Sequence, residues 1–293
     1  MEILPNFEYH RPNSLGEAIR LLTQYGDDAK LLAGGTDLLI KLKNQQICPG
    51  HVVALKWIPE LSEVIEKGDL RIGALATYTQ LLGLPIIKRR FSILIDAFSR
   101  LGTRQIRNVA TVGGNLCNGV PSADTAPSLL ALDAKLTLIG PKGKREMNLD
   151  EFFIGPGETA IEPGEILTSI LLPIPSPFSS GAYIKHTRRA ALDLPIVGVA
   201  VQCTFSQDFE RIEEARIGLG VAAPTPIRAK SSEVFLKGKA VTGEILEEAG
   251  SIALKGAKVR ETWRGSAFYR SEMIRVLFQD AVLLARERAR VQK

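Results

Sequence analysis

The sequence predicts an α+β protein: two small α/β units in succession, then a separate α+β domain. Three observations predict it. Short apolar runs of strand length alternate with amphipathic helical stretches from the N-terminus to about residue 172. An apolar stretch twice meets a Gly-Gly pair, in "LLAGGTDLLIKLKN" (31–44) and in "NVATVGGNLCN" (108–118). Proline and serine then crowd together in "PIPSPFSS" (173–180), after which three strand-like runs precede three helices. The expected boundaries are 1–176, divided near 1–56 and 57–176, and 177–293 for the last domain, with a three-stranded antiparallel sheet plus helices.

Each element has its own signal. In "SLGEAIRLLTQYG", Ser14 and Glu17 stand at capping-box spacing, and Leu15, Ala18, Ile19 and Leu22 follow at helical intervals up to Gly26. "AKLLAGG" reads as a buried strand, "TDLLIKLKN" as a helix begun at Thr36 or Asp37, and "HVVAL" as another strand. "LRIGALAT" is a strand leading to Thr77, which caps a helix over "YTQLLGLPII"; "FSILIDAFSRLG" is a strongly apolar helix. "APSLLALDAKLTLIG" runs from helix to strand, "PKGK" turns, and "EILTSILLPIP" is a strand ended by prolines. "GAYIKHTRRA", "PIVGVAVQCTF" and "EEARIGLGVAA" are strands. Helices are expected near 228–237, 242–255 and 269–290.

Composition narrows the function. The chain has 293 residues and a net charge of +5, from 37 Lys+Arg against 32 Asp+Glu, and the excess is scattered. No basic stripe carries interleaved aromatics, so no nucleic-acid partner is expected. Cys48, Cys117 and Cys203 form no metal-binding spacing, and no metal ligand is expected. No run approaches the length of a membrane span, and "MEILPNFEYHRP" lacks a signal core, so the expected location is the cytoplasm.

The glycine pairs carry the chemistry. Without Cβ atoms, Gly34 and Gly35 let backbone N–H groups approach a ligand, and converging amides make an anion site. Two facing loops could hold a pyrophosphate on neutral amides, with Thr36, Thr111 and Asn115 adding side-chain donors and Asp37 accepting from a hydroxyl or amide. A Gly-Gly pair is also an ordinary tight turn. Neither stretch has G-x-G-x-x-G or P-loop spacing. The residues alone therefore leave a phosphate-bearing cofactor and a plain turn both open.

"AGGTDLL" together with "RQIRNVATVGGNLCNGVPSADTAPSLLALDA" (104–134) resembles the FAD-binding medium subunit of the molybdenum hydroxylases, the xanthine dehydrogenase and carbon monoxide dehydrogenase family, and the likeness extends over essentially the whole chain. The resemblance implies a vanillyl-alcohol-oxidase (PCMH)-type flavoprotein fold with FAD between the first two units. It assigns Leu31, Leu32, Ala33, Gly34, Gly35, Thr36, Asp37 and Leu38 to a first FAD loop, with Gly34, Gly35 and Thr36 at the pyrophosphate. Ala110, Thr111, Gly113, Gly114, Asn115 and Cys117 fall to the second, and Leu101, Ile106 and Leu167 are further cofactor-binding positions. Asp124 matches an acidic residue near the ribityl or adenosine hydroxyls, and Lys185 a basic residue close to the isoalloxazine.

The resemblance further implies an electron relay. A partner subunit with molybdopterin oxidises the substrate, 2Fe–2S clusters in a small subunit pass electrons to this FAD, and NAD, a quinone or another acceptor removes them. A dimer of heterotrimers is the expected assembly. No catalytic acid or base is nominated. "GVPSADTAP" follows the second glycine pair directly, so the cysteine-rich insertion that holds an extra 4Fe–4S cluster in some relatives is not expected. Trp263, in "ETWRGSAFYR", stands where the family commonly has a more polar residue. The rival reading is a stand-alone FAD-dependent oxidase or dehydrogenase, for which His186 is the obvious acid–base candidate.

Overall fold

The computed structural model describes residues 4–189 and 192–291. The first unit is a parallel sheet of three strands, Glu8–His10, His51–Ala54 and Ala29–Leu32, with His51–Ala54 in the middle. Helix Leu15–Tyr25 buries Ala18 and Leu22 against it. Ser14 Oγ accepts the Glu17 N–H at 3.2 Å, but the Glu17 carboxylate takes the N–H of Asn13 at 2.9 Å rather than that of Ser14. Gly26, at φ +52°, ends the helix as its sequence suggests.

The middle unit is an antiparallel sheet in the order Val64–Lys67, Asp69–Gly73, Ile166–Leu172, Lys135–Gly140, Gly143–Asn148. Helices Ser92–Ser99 and Thr125–Ala131 fill its core. The single helix expected over "YTQLLGLPII" is two, Tyr78–Gly83 and Pro85–Arg90. Pro85 disfavours helical geometry in the residue before it, and Leu84 is extended at ψ 130°.

The last domain corrects the expected three-stranded sheet to four. Strands Ser179–His186, Val197–Phe205 and Ile212–Gly220 are joined by Ile227–Arg228, which pairs with Leu219 and Gly218. Two residues behind Pro224 and Pro226 are too few to show alternation, so only the pairing partner reveals the fourth strand. Helices Lys230–Leu236, Gly243–Lys255 and Ala267–Val291 follow. The last buries Ile274, Leu277, Phe278, Ala281, Val282, Ala285 and Ala289, a stripe at three- and four-residue steps laid on the sheet. Arg270 anchors its start: the buried guanidinium donates to the Ile196 carbonyl and to Thr262 Oγ1.

The domains are packed tightly onto one another. A Cβ on Gly218 would fall into the Pro127 backbone, so the strand lies directly on helix Thr125–Ala131. Near the chain's end, Arg288 donates to both oxygens of Asp96, at 2.6 and 2.9 Å, and to the Gly181 carbonyl at 3.0 Å. Asp96 Oδ2 also accepts the Tyr183 N–H at 3.0 Å. One guanidinium thus ties the last helix to the middle unit and to strand Ser179–His186.

Candidate functional site

A cleft of about 640 Å³ runs between the units, a size usual for cofactor sites. Both glycine corners line it, and they are built differently. The first leaves strand Ala29–Leu32 and enters helix Leu38–Lys43 after an irregular turn at Ala33–Asp37. Gly35 sits at φ +75°, which favours glycine. A Cβ on Gly34 would fall onto the Val109 carbonyl and within 2.8 Å of its carbon, so this glycine is needed for one corner to rest on the other. Among the described residues, the N–H groups of Gly34, Gly35, Thr36 and Asp37 donate to no acceptor. Asp37 precedes the helix without a side-chain cap bond.

The second corner is helical, contrary to its reading as a loop. Helix Arg104–Val109 ends, Ala110 and Thr111 are extended, and a second short helix covers Val112–Cys117. Thr111 caps it: Oγ1 accepts the Gly114 N–H at 3.1 Å. Val112 and Gly113 donate to Ala76 and Ala74 at 3.2 and 2.8 Å, and Asn115 donates to the Thr111 carbonyl. Every amide from Val112 to Asn115 is therefore already spent inside the protein. The side chain of Asn115 is not: Oδ1 accepts from Thr125, which leaves its Nδ2 hydrogens for a ligand.

Of the residues expected at the site, the cleft wall brings together Leu31, Ala33, Gly34, Gly35, Thr36, Asp37, Leu38, Leu101, Ile106, Ala110, Thr111, Gly113, Gly114, Asn115, Cys117, Asp124 and Leu167. Leu32 and Lys185 do not line it. Lys185 stands behind Asp124 with its side chain 5% exposed, and its Nζ donates to Asp124 Oδ2 at 2.8 Å and to the Arg100 carbonyl at 3.3 Å. Tyr183 Oη donates to the other Asp124 oxygen at 3.3 Å. Burial drives the Asp124 carboxyl above its ordinary pKa, and Lys185 pulls in the opposite direction.

Several wall residues escape the sequence. Lys41 lines the cleft and donates to Asn118 Oδ1 at 2.8 Å, joining the helices that follow the two corners. Its signal was its position four residues after Asp37, which puts it on the same helix face. Tyr78 also lines the cleft, yet its hydroxyl is fully buried and has no hydrogen-bond partner among the described residues. Thr125 is close enough to affect its ionisation, but the Thr125 hydroxyl donates to Asn115. Burial raises the Tyr78 phenol well above its ordinary pKa, so it stays a neutral donor. The last domain contributes Leu192, Asp193 and Leu194 from the connection between its first two strands. Asp193 holds that connection by accepting the N–H groups of Arg188 and Arg189 at 3.1 and 3.2 Å.

His186 is not part of the cleft; its Nε2 meets Tyr269 Oη at 2.8 Å. Cys117 is, but burial pushes its thiol up to about 12, which keeps it protonated and a poor nucleophile. Trp263, 76% exposed, is flanked by the guanidinium groups of Arg264 and Arg188 at 4.8 and 5.6 Å. Unspent amides at one end, apolar walls from Leu31, Leu101, Ile106 and Leu167, and the orphaned Tyr78 hydroxyl suit a long ligand with an anionic part, a planar part and hydroxyls between. FAD has that composition, and the residues present fit it.

Comparison with known proteins agrees. Residues 5–175 match the family described as the FAD binding domain in molybdopterin dehydrogenase, and 182–285 match the CO dehydrogenase flavoprotein C-terminal domain. A putative xanthine dehydrogenase FAD-binding subunit of Escherichia coli (strain K12) is 38% identical over 277 residues, which is 94% of each chain. The carbon monoxide dehydrogenase medium chain of Afipia carboxidovorans is 35% identical over 286 residues, 97% of this chain and 98% of the relative. A solved carbon monoxide dehydrogenase from Hydrogenophaga pseudoflava, lacking the molybdenum-pyranopterin moiety, superposes with a TM-score of 0.93 over 98% of this chain and 99% of that one, at 35% identity. The chain belongs to the FAD-binding flavoprotein subunits of the xanthine and carbon monoxide dehydrogenase family of molybdenum hydroxylases.

Proposed function

We propose that the cleft holds FAD without a covalent bond, and that the chain relays electrons from a 2Fe–2S partner subunit to an external acceptor. The observation that carries the site assignment is the row of unspent amides at Gly34, Gly35, Thr36 and Asp37, beside a buried tyrosine hydroxyl with no partner. Unspent amides at a glycine corner can hold a pyrophosphate, and Lys41 adds a cation to the same cleft. Asn115 Nδ2 and Tyr78 Oη offer further donors, while Asp124 retains lone pairs for ribityl or adenosine hydroxyls. Lys185 acts through Asp124, holding the carboxylate in place. Bound FAD supplies the redox chemistry; this chain's residues bind it, orient it and shield it.

The assembly is the second part of the reading. We place this chain with a 2Fe–2S small subunit and a molybdenum large subunit, as a cytoplasmic dimer of heterotrimers with NAD or a quinone as acceptor; the domain division is 1–176 and 177–293. Relatives described as medium chains and FAD subunits support this. No helix among the described residues is long and apolar enough to cross a membrane. A stand-alone oxidase would need an acid or base beside the ring, and His186 lies outside the cleft.

Two measurements test the reading. Acid precipitation should release free FAD into the supernatant, since none of the three histidines lines the cleft and Cys117 is held protonated; yellow colour left in the washed pellet would overturn the non-covalent assignment. The chain expressed in its native host should co-purify with polypeptides carrying iron and molybdenum. Efficient oxidation of an alcohol, aldehyde or purine by the isolated chain would establish the stand-alone reading instead.

A further inference from the structure

We propose that Glu8, His10 and His51 form a binding site for one borderline divalent cation of the Ni²⁺ and Zn²⁺ class, on the outer parallel sheet and apart from the cleft. The backbone builds the site. Glu8 and His10 are two residues apart on one strand, so they project from the same face, while Tyr9 between them faces the other way. The parallel register sets Glu8 directly against His51 on the neighbouring strand. Residues 41 positions apart in sequence are thereby brought to one spot.

His51 Nδ1 lies 3.0 Å from His10 Nε2 and 3.6 Å from Glu8 Oε2. One ligand atom from each of the three residues falls within 4.8 Å of the others. The Tyr25 ring stacks on His51, with centroids 3.6 Å apart and planes at 17°, and lies 5.3 Å from the His10 ring. Both imidazoles are therefore held before any ligand arrives. Their side chains are 12% and 18% exposed, whereas Glu8 is 65% exposed, so water can complete the coordination from the Glu8 side.

A hydrogen bond between the two imidazoles accounts for the 3.0 Å contact by itself. A cation between His10 Nε2 and His51 Nδ1 would use the same two nitrogens and add the Glu8 carboxylate, whose Oε2 lies 3.6 Å from His51 Nδ1, as its third ligand. With metal–nitrogen distances of roughly 2.05 Å, nitrogens 3.0 Å apart subtend about 94° at the metal. That angle suits octahedral or tetragonal coordination, as Ni²⁺ prefers, and Zn²⁺ adapts to it. Two nitrogens and one oxygen disfavour Ca²⁺ and Mg²⁺, which take oxygen ligands. Binding requires both facing nitrogens unprotonated, so the hydrogen between the rings relocates to the far nitrogen of its own imidazole. The cation would pin the three-residue edge strand to the strand beside it, in the sheet from which the first glycine corner departs.

The test uses the untagged full chain with its flavin, stripped by chelator and titrated with Ni²⁺ or Zn²⁺ by calorimetry and equilibrium dialysis. One equivalent should bind; His10→Ala and His51→Ala should each weaken binding by at least about tenfold, and Glu8→Gln by a smaller factor. Cys48→Ser and His186→Gln, which remove other surface ligands, should leave affinity unchanged. FAD content should be unaltered in every variant. In the wild-type protein, Ni²⁺ should broaden the ring-proton NMR signals of His10 and His51 while sparing His186, a readout that needs no substitution. No binding up to millimolar Ni²⁺, or equal affinity in the His10→Ala/His51→Ala double variant, would overturn the proposal.

Discussion

The two glycine corners look alike in sequence and differ in what they have left to give. The first ends a strand, and four consecutive amides there have no acceptor among the described residues. The second is a capped helical turn whose amides all bond within the protein. One corner is thus a donor surface, and the other is a shelf that positions it: Gly34 rests on the Val109 carbonyl, and a Cβ on Gly113 would meet Ala74 Cβ at 2.6 Å. A shared motif need not mean a shared role, because a backbone amide can serve a ligand only if the fold has not already used it.

Substitutions can break this contrast. Gly34→Val should have the largest effect. Its side chain would invade the Val109 backbone, destabilising the protein by about 3 kcal/mol and abolishing FAD binding; a thermally normal Gly34→Val protein would show that the corners do not touch. Next is the alkaline limb of stability. Burial raises the thiols of Cys117 and Cys203 to about 12, while unfolded thiols ionise near pH 9.0. The unfolded state then holds fewer protons than the folded one, so these groups cost nothing below pH 9.0 and lower stability as pH rises from there towards 12. The slope is about 1.4 kcal/mol per pH unit for each thiol. Denaturant midpoints across that range check it, and at pH 8 iodoacetamide should modify exposed Cys48 well before Cys117.

Thr111→Val should cost about 1 kcal/mol through loss of the helix cap, read as a lower melting temperature with reduced FAD content. Gly114→Ala has the smallest expected effect on the fold. Its Cβ would meet Thr111 Oγ1 at 2.8 Å, offset by alanine's helix preference of about 1 kcal/mol. Its FAD content should stay near that of the wild type, since the second corner offers no free amide; severe flavin loss from a stably folded Gly114→Ala protein would mean that its backbone does approach the cofactor.

Much of this was legible in the sequence. The 3.6-residue pattern after Ser14 and the apolar runs at Ala29–Leu32, His51–Ala54 and Val197–Phe205 carry local periodicity, and each is where it was expected. Strand Glu8–His10 was not legible, since three residues show no period and parallel pairing supplies the reason for the strand. The Val112–Cys117 helix was hidden because two adjacent glycines disfavour helix locally, and bonds to Ala74 and Ala76 override that preference. The cofactor corners came from motif resemblance, but which of them keeps free amides is a property of tertiary bonding. Tyr78 gave no signal at all: a tyrosine in an apolar segment looks the same whether or not its hydroxyl has a partner.

The clamp on Asp96 also sets an order of events. Arg288 lies 192 positions after Asp96 and 107 after Gly181, so during synthesis it leaves the ribosome well after both of its partners. Until it arrives, strand Ser179–His186 lacks the guanidinium that ties Gly181 to Asp96, and the connection bearing Leu192–Leu194 hangs from that strand. Both glycine corners are therefore synthesised before the latch that fixes the third wall, and the flavin is expected to enter in that interval. A chain ended before Arg288 should keep that interval open, exchanging added FAD faster than the full-length protein does.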